Sequence, residues 1–341
     1  MIGGRSKERF LVERKRVALW DNLKFILIIA VVLGHFINIR DSVTYHSLFI
    51  FIYSFHMPLF VFLAGLFHKN EGVWKKALAF LGIYVLYKLS IYGIKMAFLG
   101  KAKLDLFNES AAPWFMLALV FYIVLGFALH KLMEHRILKW VVLFVMIAFS
   151  CYAGYVEDIG SFLALAKVIY FFPFYLLGII LDRKKLEKLA ENRKWKIGGA
   201  AIVLVWLLIC LIFLEEVYQM RPFMVAKASY PEYAQLPFIW RLQGYIIAVV
   251  VGFSLILATP VSYIKPVTLW GSRTIQVYFW HKLVLYVFQY TDLDKWFYDG
   301  GLHKTLWMIV AVIITCILSL WVFRYPTELI MGFTRSGNKK E

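Results

Sequence analysis

Apolar runs of about twenty residues, separated by short polar or basic stretches, recur along the whole chain. A helical run of that length matches the roughly 30 Å of hydrocarbon in a bilayer. The pattern predicts membrane-spanning helices near 20–39, 47–67, 77–99, 113–129, 138–154, 161–181, 197–214, 241–258, 274–291 and 305–322. The longer connections, at about 100–112, 182–196, 215–240 and 259–273, are too short to hold a soluble domain. The expected fold is therefore all-α: a polytopic membrane protein of about ten transmembrane helices. A basic N-terminal stretch at 1–19 precedes one membrane domain at 20–322, and a tail follows at 323–341.

Composition supports that reading and charge orients it. With 62% hydrophobic and 18% aromatic residues, too little polar surface remains to coat a water-soluble globule. Lys and Arg are retained on the cytoplasmic side of short loops. Of the 38 in the chain, 26 fall on the side of the N-terminus and 8 on the other, Arg40 and Lys227 among the latter. Both termini are accordingly expected in the cytoplasm. The net charge of +17 then needs no nucleic acid, because the excess sits beside anionic lipid headgroups. The first apolar run follows basic residues as a signal peptide does, but it is long and lacks a small-x-small cleavage site, so it reads as a retained span. Cys151, Cys210 and Cys316 show neither a disulfide framework nor metal-ligand spacing, and no metal is expected.

Ionisable groups at bilayer depth cost about 2.5–3.5 kcal/mol each on insertion scales, so each one needs a reason. In the first run Lys24 and His35 are eleven residues apart, close to three helical turns, which places them on one face roughly 16 Å apart along the axis. Asp21 stands one turn before Lys24, where an i, i+3 ion pair can form. His56 lies mid-run beside Pro58, and His281 lies two turns into the ninth run. Structurally, Asp21 and Lys24 can be interfacial anchors and the histidines interhelical hydrogen-bonders. Chemically, three imidazoles at comparable depth suggest a buried polar cavity. A neutral imidazole is suited to taking a proton from a hydroxyl near pH 7. A cation three turns nearer the cytosol suits a phosphate-bearing donor. No glycine-rich phosphate loop, zinc spacing or nucleophile elbow is present.

These residues carry a resemblance. Lys24 and His35, ten residues between them, match the Arg/Lys-X10-His motif of the acyltransferase-3 family of membrane O-acyltransferases, and Trp20-Asp21-Asn22-Leu23-Lys24 with Val32-Leu33-Gly34-His35 resembles the branch typified by fucose 4-O-acetylase. Further similar segments follow in family order: Phe55-His56-Met57-Pro58-Leu59-Phe60 with Ala64-Gly65, Pro113-Trp114-Phe115-Met116, Phe171-Phe172-Pro173-Phe174 with Leu177-Gly178, and Trp270-Gly271-Ser272-Arg273 with Tyr278 and His281. The resemblance implies a bacterial cell-membrane enzyme that moves acetyl from cytosolic acetyl-CoA to a hydroxyl of a cell-envelope glycan or its lipid-linked precursor. It makes His35 the catalytic residue, as general base or acyl handler, with His56 and His281 as further catalytic candidates. Lys24, Lys75, Lys76 and Arg273 become candidate contacts to acetyl-CoA, although an ordinary positive-inside loop explains Lys75 and Lys76 equally well. Asp21 and Trp114 become supporting residues. Two departures stand out: no intramembrane Asp or Glu follows Asp21, and no extracytoplasmic esterase-like domain is present, so a separate envelope protein could take part.

The outer connection from Glu215 to Trp240 carries Tyr218, Phe223, Tyr230, Tyr233, Phe238 and Trp240. Their rings could stack on sugars or form an interfacial belt. The competing function is a transporter or flippase whose histidines line a substrate or proton path. Such proteins usually show internal repeats, and none joins the two halves of this chain.

Overall fold

The computed structural model describes residues 3–38, 43–108, 112–226, 229–297 and 300–335, so Arg40 and Lys227 lie outside the described residues. Each of the ten predicted runs is occupied by a helix. We number them α1 (Gly3–Ile37), α2 (Val43–Leu66), α3 (Val73–Leu99), α4 (Trp114–Ala128), α5 (Leu138–Ala153), α6 (Leu165–Ile180), α7 (Arg193–Ile212), α8 (Pro237–Ala258), α9 (Thr274–Tyr290) and α10 (Gly300–Leu318). Short helices fill the connections, and no strand forms among the described residues. Six helices (α1, α2, α3, α7, α8 and α10) are long and apolar enough to cross a membrane, and α6 makes a seventh if counted with Arg183–Glu191, which follows it at an 82° bend. Helices α4 and α5 are apolar but shorter. Helix α9 has 17 residues and carries Gln276, His281 and Lys282. Its polarity has a physical reason: Gln276, Tyr278 and His281 are buried within the protein, so lipid does not set their cost.

Helix α1 is the axis. Its residues from Ala18 to Ile37 are mostly buried, and it packs against α2, α9, α10 and the short helix Val267–Gly271. By contrast α7, with only Gly199 and Cys210 buried, runs along the periphery. The start of the axis is fixed by side chains of the Trp20-Asp21-Asn22 segment. Trp20 donates its indole N–H to Glu187 Oε1 at 2.7 Å, tying down the helix Arg183–Glu191. Asn22, buried, donates to the carbonyls of Pro260 and Ser262 at 2.9 Å each and accepts from Thr268 Oγ1 at 2.6 Å. Asn22→Ala removes all three of these hydrogen bonds, one of them to the buried Thr268 hydroxyl. It should cost on the order of 3 kcal/mol, read as a lowered thermal midpoint in detergent; an unchanged midpoint would contradict this assignment.

Two prolines lie inside helices at the centre, and side chains of neighbouring helices donate hydrogen bonds close to each. Around Pro173 of α6, Tyr122 donates to the Val168 carbonyl at 3.2 Å and Tyr245 to the Tyr170 carbonyl at 2.6 Å. Near Pro58 of α2, Trp206 donates to Ser54 Oγ at 2.9 Å. Helices α2 and α6 cross at Gly65 and Gly178: a Cβ on Gly65 would lie 2.0 Å from the Tyr175 carbonyl oxygen, and one on Gly178 would lie 2.2 Å from that of Phe62.

Candidate active site

Two chambers lie along one side of α1, and Tyr278 belongs to the wall of both. The first, about 390 Å³, opens near the N-terminal end of the membrane part of α1. Its mouth carries Lys24, His68, Lys69 and Lys76, and its walls are apolar, with Phe60, Leu63, Phe115 and Leu119 prominent. The second, about 180 Å³, lies toward the other end of the helix and is lined by His35, His56, Lys167 and Arg221 together with Tyr53, Trp114 and Phe171. Tyr278 lines both chambers, and its hydroxyl donates to the Ala112 carbonyl. The helical spacing explains the division: Lys24 and His35 share a face of α1, and each looks into a different chamber.

The second chamber holds the imidazoles. His35 of α1 and His281 of α9 approach with ring centroids 5.1 Å apart. His35 is partly open to the cavity, whereas His281 is fully buried behind it. His281 Nδ1 lies 3.2 Å from the Val277 carbonyl oxygen; since a carbonyl only accepts, the proton sits on Nδ1 and the lone pair of the neutral ring on Nε2. That Nε2 is buried with no hydrogen-bond partner among the described residues. His56 follows the same rule, donating from Nδ1 to the Ile52 carbonyl at 2.7 Å, which leaves its Nε2 as acceptor. Trp114 forms a wall, stacked on Phe171 at 5.2 Å between centroids, with the Lys167 ammonium 5.2 Å from its ring.

At the first chamber Asp21 and Lys24 form the predicted pair, at 2.5 Å. Asp21 is itself buried and outside the lining, so it sets the position of Lys24 and does not face the cavity. Lys76 lines the mouth and donates to the Glu71 carbonyl at 2.8 Å, while Lys75 is exposed one residue earlier and does not line it. Arg273 belongs to neither chamber: it donates to the Ser319 carbonyl at 3.0 Å, just beyond α10, and borders a separate cavity of about 420 Å³. Sequence reading passed over His68, which accepts from the Tyr175 hydroxyl at 2.7 Å on Nδ1 and donates from Nε2 to Asn70 Oδ1 at 3.0 Å. Burial holds its pKa below the usual histidine value, and the nearby Lys76 charge adds to that, against the hydrogen bond to Asn70. Lys167 and Arg221 were passed over too.

A family model described as an acyltransferase domain, of the acyltransferase-3 type, matches residues 17–324. Its span begins just before Trp20 and ends after α10, so it takes in the whole lining of the second chamber and all of the first but Met331. Neither the curated proteins nor the solved structures gave a match.

Proposed function

From the premise that the chain belongs to the acyltransferase-3 family, we propose that it is a membrane O-acetyltransferase. It carries acetyl from cytosolic acetyl-CoA to a hydroxyl of a cell-envelope glycan or its lipid-linked precursor. The supporting observation is a pair of chambers that share Tyr278 as a wall, with a basic mouth on one side and the His35–His281 pair on the other. In this reading all ten helices cross a bacterial cell membrane, and the basic bias of the loops puts both termini and the first chamber on the cytoplasmic side.

Lys24, Lys69 and Lys76 hold the donor's phosphates, and the apolar walls of the first chamber take its pantetheine arm. The distance from Lys24 to His35, roughly 16 Å along the helix, is the depth the thioester must reach. His35, open to the second chamber, takes the proton of the acceptor hydroxyl as its oxygen attacks the thioester carbonyl. A C–O bond forms and the C–S bond breaks. CoA leaves as thiolate, and the imidazolium returns the proton to it as the free thiol. His281 stands behind His35 with an unfilled lone pair, placed to orient that ring. Desolvation of the site strengthens these interactions relative to water. Buried histidines alone would also allow transport, but that reading leaves the family membership unexplained.

Kinetics with acetyl-CoA as the varied substrate test the donor assignment. Lys76→Gln should raise KM for acetyl-CoA about tenfold, the effect of one charge-assisted contact, with kcat little changed, whereas Lys75→Gln should leave both alone. A wild-type protein that neither binds CoA nor releases acetyl in the presence of envelope extract would remove the acyltransferase reading.

A further inference from the structure

The second chamber does not end at His35. Beyond it lies an outermost cavity of about 240 Å³, lined by Ile37, Tyr45, His46 and Tyr218 and sharing Asn38, Phe49 and Arg221 with its neighbour. The two form one path from the outer face to the histidines. Its charges have one sign: Lys167 and Arg221 line it, and among the described residues no Asp or Glu does. Lys167 is more than nine-tenths buried. The Arg221 guanidinium lies 5.0 Å from the Phe49 ring centroid and 5.7 Å from that of Tyr218, and its Nη2 donates only weakly, at 3.4 Å, to Asn38 Oδ1. No carboxylate pairs with it among the described residues.

Arg221 is exposed at the mouth of this path, so an incoming anion meets its charge there without an ion pair having to break. The guanidinium is a planar fork that fits phosphate or carboxylate oxygens in pairs. Beside it the wall is aromatic and flat, Phe49 stacked on Tyr53 at 3.8 Å and His46 on Tyr218 at 4.0 Å between centroids. We infer that the acceptor carries an anionic group, a phosphate or a carboxylate, which Arg221 engages while Lys167 adds to the field. The ring that bears the reactive hydroxyl lies against the aromatic wall, toward His35 and His56. The inference rests on the acyltransferase reading for treating this path as the acceptor side. It explains why the outer route is cationic when a neutral glycan would need no cation there.

The test is calorimetric binding to the full-length protein in zwitterionic vesicles, with saturating CoA occupying the first chamber. Glucose 1-phosphate and glucuronic acid serve as anionic probes and glucose as the neutral one. The account expects at least one anionic probe to bind about tenfold more tightly than glucose, with a preference that shrinks as salt rises. Arg221→Gln should cut that preference to within about twofold, Arg221→Lys should keep part of it, and Lys75→Gln should leave it intact. Tighter binding of glucose 1-phosphate than of glucuronic acid would assign the phosphate, and the reverse the carboxylate. Equal binding of all three probes overturns the inference, as does a preference that survives Arg221→Gln. CoA binding in the same samples reports that the variants are folded. It also separates the two claims: loss of CoA binding in the wild type sinks the acyltransferase reading, while anion preference alone decides this one.

Discussion

His35→Ala should lower kcat for acetyl transfer by about 10²- to 10⁴-fold, the range supplied by a positioned general base, while CoA binding stays within about twofold of wild type. The two outcomes separate because His35 and the basic mouth proposed for the donor belong to different chambers. His35 is also the histidine of the pair that is open to the cavity, so its removal takes away the group nearest the acceptor hydroxyl. His281 is fully buried and touches His35 only ring to ring. His281→Gln should therefore slow transfer less than His35→Ala and shift the pH profile of kcat, as expected of a residue that positions the base. Equal CoA affinity with undiminished kcat in His35→Ala would assign that histidine to packing.

Gly65→Ala should prevent assembly of a stable fold. The new methyl would meet the backbone carbonyl of Tyr175 at 2.0 Å, and backbone within a packed helix crossing cannot rotate aside as a side chain can. Ordinary overpacking costs about 1–3 kcal/mol, and a clash with main chain exceeds it because α2 and α6 must separate. Gly178→Ala meets the same crossing from the other helix, 2.2 Å from the Phe62 carbonyl oxygen and 2.6 Å from the Leu66 nitrogen. The crossing matters to function, since α2 carries His56 and α6 carries Lys167 and Phe171 on the second chamber. Gly93→Ala on α3 is the control. Nothing lies within 4 Å of its Cβ position, so the change should be neutral or stabilising by up to about 1 kcal/mol. Thermal midpoints in detergent read all three variants, and a Gly65→Ala midpoint equal to that of Gly93→Ala would contradict the close crossing.

Much of the fold was legible because a membrane helix writes its length and apolarity directly into the sequence. Helices stand at all ten of the runs read from the hydrophobic pattern. The ends moved where local chemistry decided them: α8 starts at Pro237, with proline in its first turn, and α10 starts at Gly300, before its run turns continuously apolar. The relation of Lys24 to His35 was legible too, since helical spacing alone fixes a shared face, and Asp21 lies within reach of Lys24 for the same reason. What periodicity could not show was which neighbours that face would meet. Neither Lys167 nor Arg221 stands out in the sequence, because their chamber is built from six separate parts of the chain: α1, α2, α4, α6, the short helix Arg221–Val225 and α9. Lys75 and Lys76 are adjacent in sequence, and only the direction of the α3 surface separates the exposed one from the one at the mouth. Arg273 sits in a segment that resembles the family, yet its guanidinium caps the end of α10. His68 had no signal beyond its place after the second run; its role comes from Tyr175, more than a hundred residues away. The aromatic connection from Glu215 to Trp240 divides in the same way. Tyr218 faces the outermost cavity, whereas Tyr230 donates to the Cys151 carbonyl at 2.9 Å and packs against Gly154, where a Cβ would lie 2.2 Å from its ring.

The central claim is that donor and acceptor approach from opposite ends of α1 and meet beside Tyr278. Sealed vesicles containing protein of known orientation test this directly, with labelled acetyl-CoA supplied on one face and envelope extract on the other. The account predicts that label reaches the extract only when acetyl-CoA is on the face bearing the termini, and that His35→Ala abolishes it. Transfer that requires acetyl-CoA on the face opposite the termini would contradict the account, as would transfer that proceeds equally from both.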